Sequence, residues 1–231
     1  LGDVYKRQEY ESELQQKLLF FELEWNQADD DHAAQVLADP ALGKYRHHLE
    51  AERRFKPYQL SEIEEQLLVE KSVTGRSAWT RLFTQITSAL RLDYDGQQLT
   101  LTQALTKLHD PDREVRRKAS AAITAALRSR TMELTYIFNV LVADKAFEDK
   151  RRGYPTWISS RNLSNKAPDA VVEALIQAVT SNYDIVARHY RLKRVLLGYD
   201  ELTEYDRYAP LPVKESDTLY RWETAQDIVL K

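Results

Sequence analysis

Residues 151–212 read RRGYPTWISSRNLSNKAPDAVVEALIQAVTSNYDIVARHYRLKRVLLGYDELTEYDRYAPLP. From Tyr154 to Lys166 the segment is a connector rich in Ser and Asn, with room for a helical turn. Pro168 then opens a long helix. Along it Val172, Ile176, Val179, Tyr183, Val186 and Tyr190 recur at intervals of four and three, a near-heptad apolar seam. Gly198 suits the position just past that helix, where a left-handed residue ends it. Tyr199 to Pro212 is irregular and rich in tyrosine. A long amphipathic helix between two such breaks belongs to a helical protein.

The sequence before this stretch repeats the pattern. Asp110-Pro111 is a good N-cap and first-turn pair. The positions Val115, Ala119, Ala122, Ala126, Leu134, Ile137 and Leu141 keep helical spacing, and no Gly or Pro follows before Gly153. One helix of close to 40 residues, roughly 60 Å long, is expected there. Earlier, Leu14, Leu18, Phe21 and Trp25 form an apolar stripe. A short helix spans about Asp31 to Ala38. Leu42, Tyr45 and Leu49 carry another helix toward Phe55, stopped by Pro57. Ser61 and Glu64 have capping-box spacing for a helix running to about Ser72. Gly75 punctuates, and Ser77 is a candidate cap for the helix that follows to Leu90. Leu101 to Leu108 returns to a helix, and Thr218 to Lys231 begins another.

The period changes once. Leu90, Leu92 and Tyr94 alternate with Arg91, Asp93 and Asp95, and Leu99 and Leu101 follow Gly96. Asp95-Gly96 is a favoured two-residue hairpin turn. The expected fold is therefore mainly α, with long antiparallel helices and one small β-hairpin near residues 90–101. That hairpin must pack on helices, because a lone one is marginal in water. Leu1–Gln8 has no initiator Met and no clear periodicity. It is read as a non-native leader, and no structural role is assigned to it.

Composition narrows the function classes. A net charge of -3 gives no electrostatic case for nucleic acid or an anionic membrane. With no cysteine there are no disulfides, thiolate metal sites or cysteine nucleophiles, which fits a reducing, cytoplasmic location. No apolar run approaches the roughly 20 residues of a membrane span, and no signal peptide is visible.

Candidate chemical groups are few. His32, His47, His48, His109 and His189 never recur at the His-x-x-x-His spacing of a zinc helix, and read as solvated or capping residues. Ser159, Ser160 and Ser164 have no assignable base, and Gly-x-Ser-x-Gly is absent, so they read as loop and cap residues. Arg113, Arg116, Arg117 and Lys118 read as a solvated first turn, offset by Asp110, Asp112 and Glu114. Arg188, His189, Arg191, Lys193 and Arg194 read as a solvated face opposite the apolar seam. The other reading is a cleft surface that attracts peptide carboxylates. For Tyr205, Asp206 and Tyr208 two readings stand level: lining a cleft, or folding back to pack the rings on the helices. No phosphate-binding glycine loop exists.

The order of these features resembles the oligoendopeptidase F branch of zinc metallopeptidase family M3, over nearly the whole chain after the leader. FFELEWNQADDDHAAQVLADPALGKYRHHLEAERRFKPYQLSEIEEQLL (residues 20–68), the stretch TGRSAWTRLFTQITSAL with the hairpin, and HDPDREVRRKASAAI each resemble parts of it. RRGYPTWISSRNLSNKAP and GYDELTEYDRYAPL resemble its early catalytic domain. The resemblance implies residues 9–112 as part of an N-terminal helical domain and residues 113–231 as the beginning of a catalytic domain. It implies hydrolysis of short peptides by a zinc-bound water, with zinc ligands and general base on and after a His-Glu-x-x-His helix. This sequence has no such motif, so no residue here is assigned a catalytic, cofactor-binding or metal-ligating role. The expectation is a fragment truncated at both ends, itself inactive and binding no zinc. The alternative is a complete, non-catalytic helical scaffold or interaction module. Oligomeric state is not readable from the sequence.

Overall fold

The computed structural model describes residues 2–212 and 221–230. Five helices come first: α1 (Gly2–Gln27), α2 (Asp30–Leu37), α3 (Arg46–Arg53), α4 (Glu62–Ser72) and α5 (Arg76–Ala89). The strands β1 (Leu92–Tyr94) and β2 (Gln97–Leu99) follow, then α6 (Leu101–Lys107), α7 (Arg113–Arg128) and α8 (Thr131–Arg152). The chain continues through α9 (Ser159–Ser164), α10 (Asp169–Ser181) and α11 (Tyr183–Leu197) to α12 (Trp222–Leu230). The fold is mainly helical with one two-stranded antiparallel sheet. The expected helix start at Thr218 lies outside the described residues.

Two small apolar cores hold the helices. In the first, Leu90 and Leu92 pack with Ala104 of α6 and Ala122 of α7. The hairpin pairs Leu92 with Leu99, and its turn puts both Asp95 (φ 52°) and Gly96 (φ 79°) in the left-handed region. That is the conformation an Asp-Gly hairpin turn requires. Lys118 of α7 donates to Asp95 at 2.8 Å and so ties the turn to the helix beneath it. In the second core, Trp25 packs with Ala33 and Leu49. The Trp25 indole N–H donates to the Leu49 carbonyl at 2.9 Å. Arg53 donates to the carbonyls of Trp25 (2.6 Å) and Ala28 (3.0 Å), filling acceptors that the end of α1 leaves open.

Several elements differ from the sequence expectation for identifiable reasons. The helix expected from Asp110 to Gly153 is two, α7 and α8. At the break, the Ser129 and Thr131 hydroxyls donate to the carbonyls of Ala126 and Arg128. Side-chain groups thus compete with the backbone ladder without any Gly or Pro. The helix opened by Pro168 likewise divides at Asn182, whose side-chain N–H2 donates back to the Ala178 carbonyl. The cap of α7 is Asp112, which accepts from Glu114 N–H, while Asp110 accepts from Asp112 N–H. Gly75, not Ser77, precedes α5. The helix drawn through Leu42 is a 3-10 turn (Pro40–Leu42) followed by α3.

Helix α1 begins at Gly2, taking in the segment to which no structural role was assigned. Its buried face is Leu19, Leu23 and Asn26 with Trp25, whereas Leu14, Leu18 and Phe21 of the expected stripe are exposed. Both faces of this helix are apolar, so spacing alone selected the uncovered one. The capping box at Ser61 and Glu64 forms as its spacing indicates, and a second forms at Thr100 and Gln103. Gly198 (φ 67°) ends α11 in the left-handed conformation.

Candidate functional site

The tyrosine-rich segment after α11 folds back onto the first turns of α7 and is locked there by charge. Arg113 and Arg116, three residues apart, share one face of α7. Asp206, brought opposite by a 3-10 turn (Glu204–Asp206), has its side chain fully buried. It accepts from Arg116 Nη2 (2.9 Å) and from Arg113 through Nε (3.2 Å) and Nη2 (2.7 Å). It also accepts from the Thr203 N–H (3.0 Å) and hydroxyl (2.9 Å).

The Arg116 side chain is equally buried, and every nitrogen of its guanidinium is engaged. Nε donates to the Tyr205 carbonyl, Nη1 to the carbonyls of Asp110 and Pro111, and Nη2 to the Tyr199 hydroxyl as well as to Asp206. Burial disfavours charge on Asp206, but the hydrogen bonds from Arg113, Thr203 and Arg116 outweigh it and hold its pKa well below the usual carboxylate range.

These contacts decide between the two readings of Tyr205, Asp206 and Tyr208: the segment packs on the helices. They also correct the reading of Arg113 and Arg116 as solvated. The carboxylate that offsets them is Asp206, 90 residues beyond Arg116. Arg117 and Lys118 are partly exposed and pair with Glu114 and Asp95. Lys193 is buried and donates to the Arg207 carbonyl at 2.8 Å, which removes it from the solvated basic face. Desolvation, and after it the charge of Arg116, lowers its pKa. Arg194 donates to the Asp200 carbonyl. The signal for this lock was present in α7. Arg116 lies three residues before Ala119 and six before Ala122, on the stripe that is buried.

A cleft of about 790 Å³ lies where α1, α3, α4 and α5 meet α8 and α9. One end is tied by consecutive arginines and glutamates. Arg152 donates to both oxygens of Glu65 (2.6 and 2.9 Å) and to Glu148 (2.9 Å), and Arg151 pairs with Glu64. Burial works against charge on Glu65, but hydrogen bonds from Arg152 and the Leu60 N–H prevail and lower its pKa. Tyr58 and Tyr154 stack beside them at 4.4 Å. The pKa of Glu22, on the α1 wall, is raised by burial first and then by the negative charge of Glu52 and Glu65.

Among the described residues no nucleophile–base pair is assembled in the cleft. Lys145 reaches the Ser160 hydroxyl at 3.2 Å, but it also holds both oxygens of Asp149, so it acts there as a donor. Ser159 bonds with Thr156, and Ser164 donates to the Ser160 carbonyl. The histidines are dispersed. His109 stacks on Tyr208, His48 lies 3.6 Å from Glu52, and His189 packs on Tyr190. His32 lies in the first turn of α2 and His47 in that of α3. Among the described residues no group of three or more His, Cys, Asp or Glu side chains is placed to hold a metal ion. The donor set present here does not fit a zinc site of the kind the resemblance implies.

Comparison with known proteins finds likenesses to oligopeptidases. Residues 24–91 match the Oligopeptidase F model of the N-terminal region of M3 peptidases. The chain is 28% identical over 202 residues to Oligopeptidase PepF of Bacillus subtilis, covering 85% of this chain and 30% of that protein. It is 27% identical over 213 residues to Group B oligopeptidase PepB of Streptococcus agalactiae, covering 87% of this chain and 35% of that one. The chain therefore spans about a third of the length of the curated relatives it matches. Its fold resembles the crystal structure of oligoendopeptidase-F from Enterococcus faecium, with a TM-score of 0.75 at 23% identity over 88% of this chain and 42% of that one. A likeness to PZ peptidase A, at a TM-score of 0.62 and 16% identity, covers 86% of this chain and 35% of that one. Over the length it spans, the chain is similar in sequence to oligopeptidases and similar in fold to an oligoendopeptidase. Together these likenesses support an oligoendopeptidase F-type peptidase of family M3.

Proposed function

We propose that this chain is part of a zinc-dependent oligopeptidase that hydrolyses short peptides in the cytoplasm. It forms part of the N-terminal helical domain (residues 9–112) and the beginning of the catalytic domain (residues 113–231). The observation that carries the reading is the alignment with oligopeptidases along 85–87% of the chain, at identities under 30% but in one continuous order. In this reading the zinc ligands and the general base belong to residues outside those seen here. The residues present contribute walls, a rigid anchor at Asp206, and helix faces that the rest of the enzyme covers.

Uncovered apolar surface favours this over a self-contained scaffold. Ile176, Val179, Tyr183 and Val186 of the α10–α11 seam are each more than half exposed, as are Tyr136, Phe138 and Phe147 on α8. Contiguous apolar faces of this kind are characteristic of interaction surfaces, contacts with another polypeptide among them.

The test is a quenched-fluorescence peptide assay on the purified 231-residue chain, with and without added zinc, beside sequencing of the gene past the codon for Lys231. The expected result is no metal-dependent hydrolysis by the chain and a downstream His-Glu-x-x-His. Metal-dependent cleavage by residues 1–231, or an in-frame stop directly after Lys231, overturns the proposal.

A further inference from the structure

One part of the cleft gathers hydrogen-bond acceptors. Glu22 and Asn26 lie four residues apart on α1 and so share a face. Glu52 lies on α3, which the Trp25–Leu49 hydrogen bond and the Arg53 contacts to α1 hold in place. All three residues line the cleft. Asn26 is only 5% exposed, and its Oδ1 has no hydrogen-bond partner among the described residues. A buried amide oxygen left unpaired is uncommon and calls for a donor. Glu22 feels the negative charge of Glu52 and Glu65, opposed more weakly by His48.

The nearby cations are largely committed elsewhere. Arg152 is held by Glu65 and Glu148, and Lys145 by Asp149. Arg53 faces Asp30. His48 reaches Glu52 at 3.6 Å, and Arg76 and Arg161 line the cleft from α5 and α9.

We infer that the stretch of the cleft between α1 and α3 binds a guanidinium group, with Glu22, Glu52 and the Asn26 amide oxygen as its acceptors. A guanidinium suits three separated acceptors because it is planar, carries five N–H donors in a fixed fork and stacks on aromatic rings. Phe55, which lines the same cleft, supplies such a ring. The guanidinium belongs either to an arginine side chain of a peptide or to a small free guanidine. The first source rests on the peptidase reading, and the second does not.

Calorimetric titration of the 231-residue chain at low salt tests this with three probes: agmatine, acetyl-Gly-Arg-Gly-amide, and the same peptide with citrulline. Binding is expected for at least one guanidinium probe, with citrulline weaker by about 10-fold or more, the scale of one charge-assisted hydrogen bond. Glu22→Gln should weaken binding by a similar factor with the helical circular dichroism unchanged. Asn26→Asp replaces the amide by a carboxylate and should tighten it. Binding of agmatine alone assigns a free guanidine; binding of the peptide alone assigns an arginine side chain. No binding of either, equal binding of citrulline, or an unchanged Kd in Glu22→Gln overturns the inference. Because the readout is binding, absence of peptidase activity leaves this outcome distinct.

Discussion

The first turns of α7 and the length of α10–α11 present opposite kinds of surface. At α7 the sequence is strongly charged, yet Arg116 and Asp206 are fully buried and their polar atoms are engaged within the chain. At α10–α11 the sequence has a regular apolar seam, yet Ile176, Val179, Tyr183 and Val186 lie open. Charge was hidden where solvent was expected, and apolar surface is open where a core was expected. Burial depends on what the rest of the fold brings opposite a face. Asp206 comes to Arg116 from 90 residues away, whereas among the described residues nothing closes over the seam.

The contrast breaks most sharply at Asp206. Asp206→Ala leaves two arginines facing a cavity, with Arg116 wholly buried and its charge uncompensated. Removing one partner of a buried pair costs about 3–5 kcal/mol. Urea unfolding followed by circular dichroism should therefore show a large fall in midpoint, and a loss below 1 kcal/mol would mean that the anchor is not needed to hold the segment. The same group sets an acid limit. Its folded pKa lies below the unfolded value of about 4, so its contribution is complete above that value. The contribution is lost progressively as pH falls below about 4 toward the depressed folded pKa. In Asp206→Asn that acid-side loss should shrink, which repeating the melts from pH 6 to pH 3 would check.

How much of this was legible follows from the range of each signal. The hairpin, the Ser61 capping box and the Gly198 terminator rest on residues within a few positions of one another, and all three form. The breaks at Ser129 and Asn182 rest on local hydroxyl and amide contacts too, but with no Gly or Pro to mark them they read as continuous helix. The Arg116–Asp206 pair has no local signal beyond an arginine set on a stripe of small residues. Long-range pairing of single charges leaves no period in a sequence. The acceptors at Glu22, Asn26 and Glu52 were missed for the same reason, because α1 and α3 meet only in the fold. On α1, two apolar faces made periodicity ambiguous, and packing chose Leu19 and Leu23 over Leu18 and Phe21.

A medium-sized effect sharpens the α7 side of the contrast. Thr100 caps α6, its hydroxyl accepting from Gln103 N–H while the Gln103 side chain accepts from the Thr100 N–H. Helix α6 carries Ala104, fully buried against Leu92 and Ala122, so the cap fixes the lid of this core. Thr100→Ala should cost about 1 kcal/mol, the usual loss of an N-cap. Thr100→Ser keeps the hydroxyl and should recover most of it. Equal losses in the two variants would show that the methyl contact, not the cap, carries the effect.

The smallest expected effect tests the other side. Ile176→Lys, Val179→Glu and Val186→Lys remove apolar side chains that are already about half in water, so little burial is lost. Each substitution should change the unfolding free energy by no more than about 0.5 kcal/mol, the range of ordinary surface changes. What should change is exposed apolar area. The triple variant should bind less of an environment-sensitive dye and self-associate less in sedimentation, because the open seam is the kind of patch that drives both. If the triple variant instead unfolds like a core mutant, the seam is buried in solution by a second copy of the chain or by a rearranged neighbour. The difference between the two regions would then be one of partner rather than of exposure. Running the melt at two protein concentrations separates those cases, since burial against a second copy makes stability depend on concentration and burial within one chain does not.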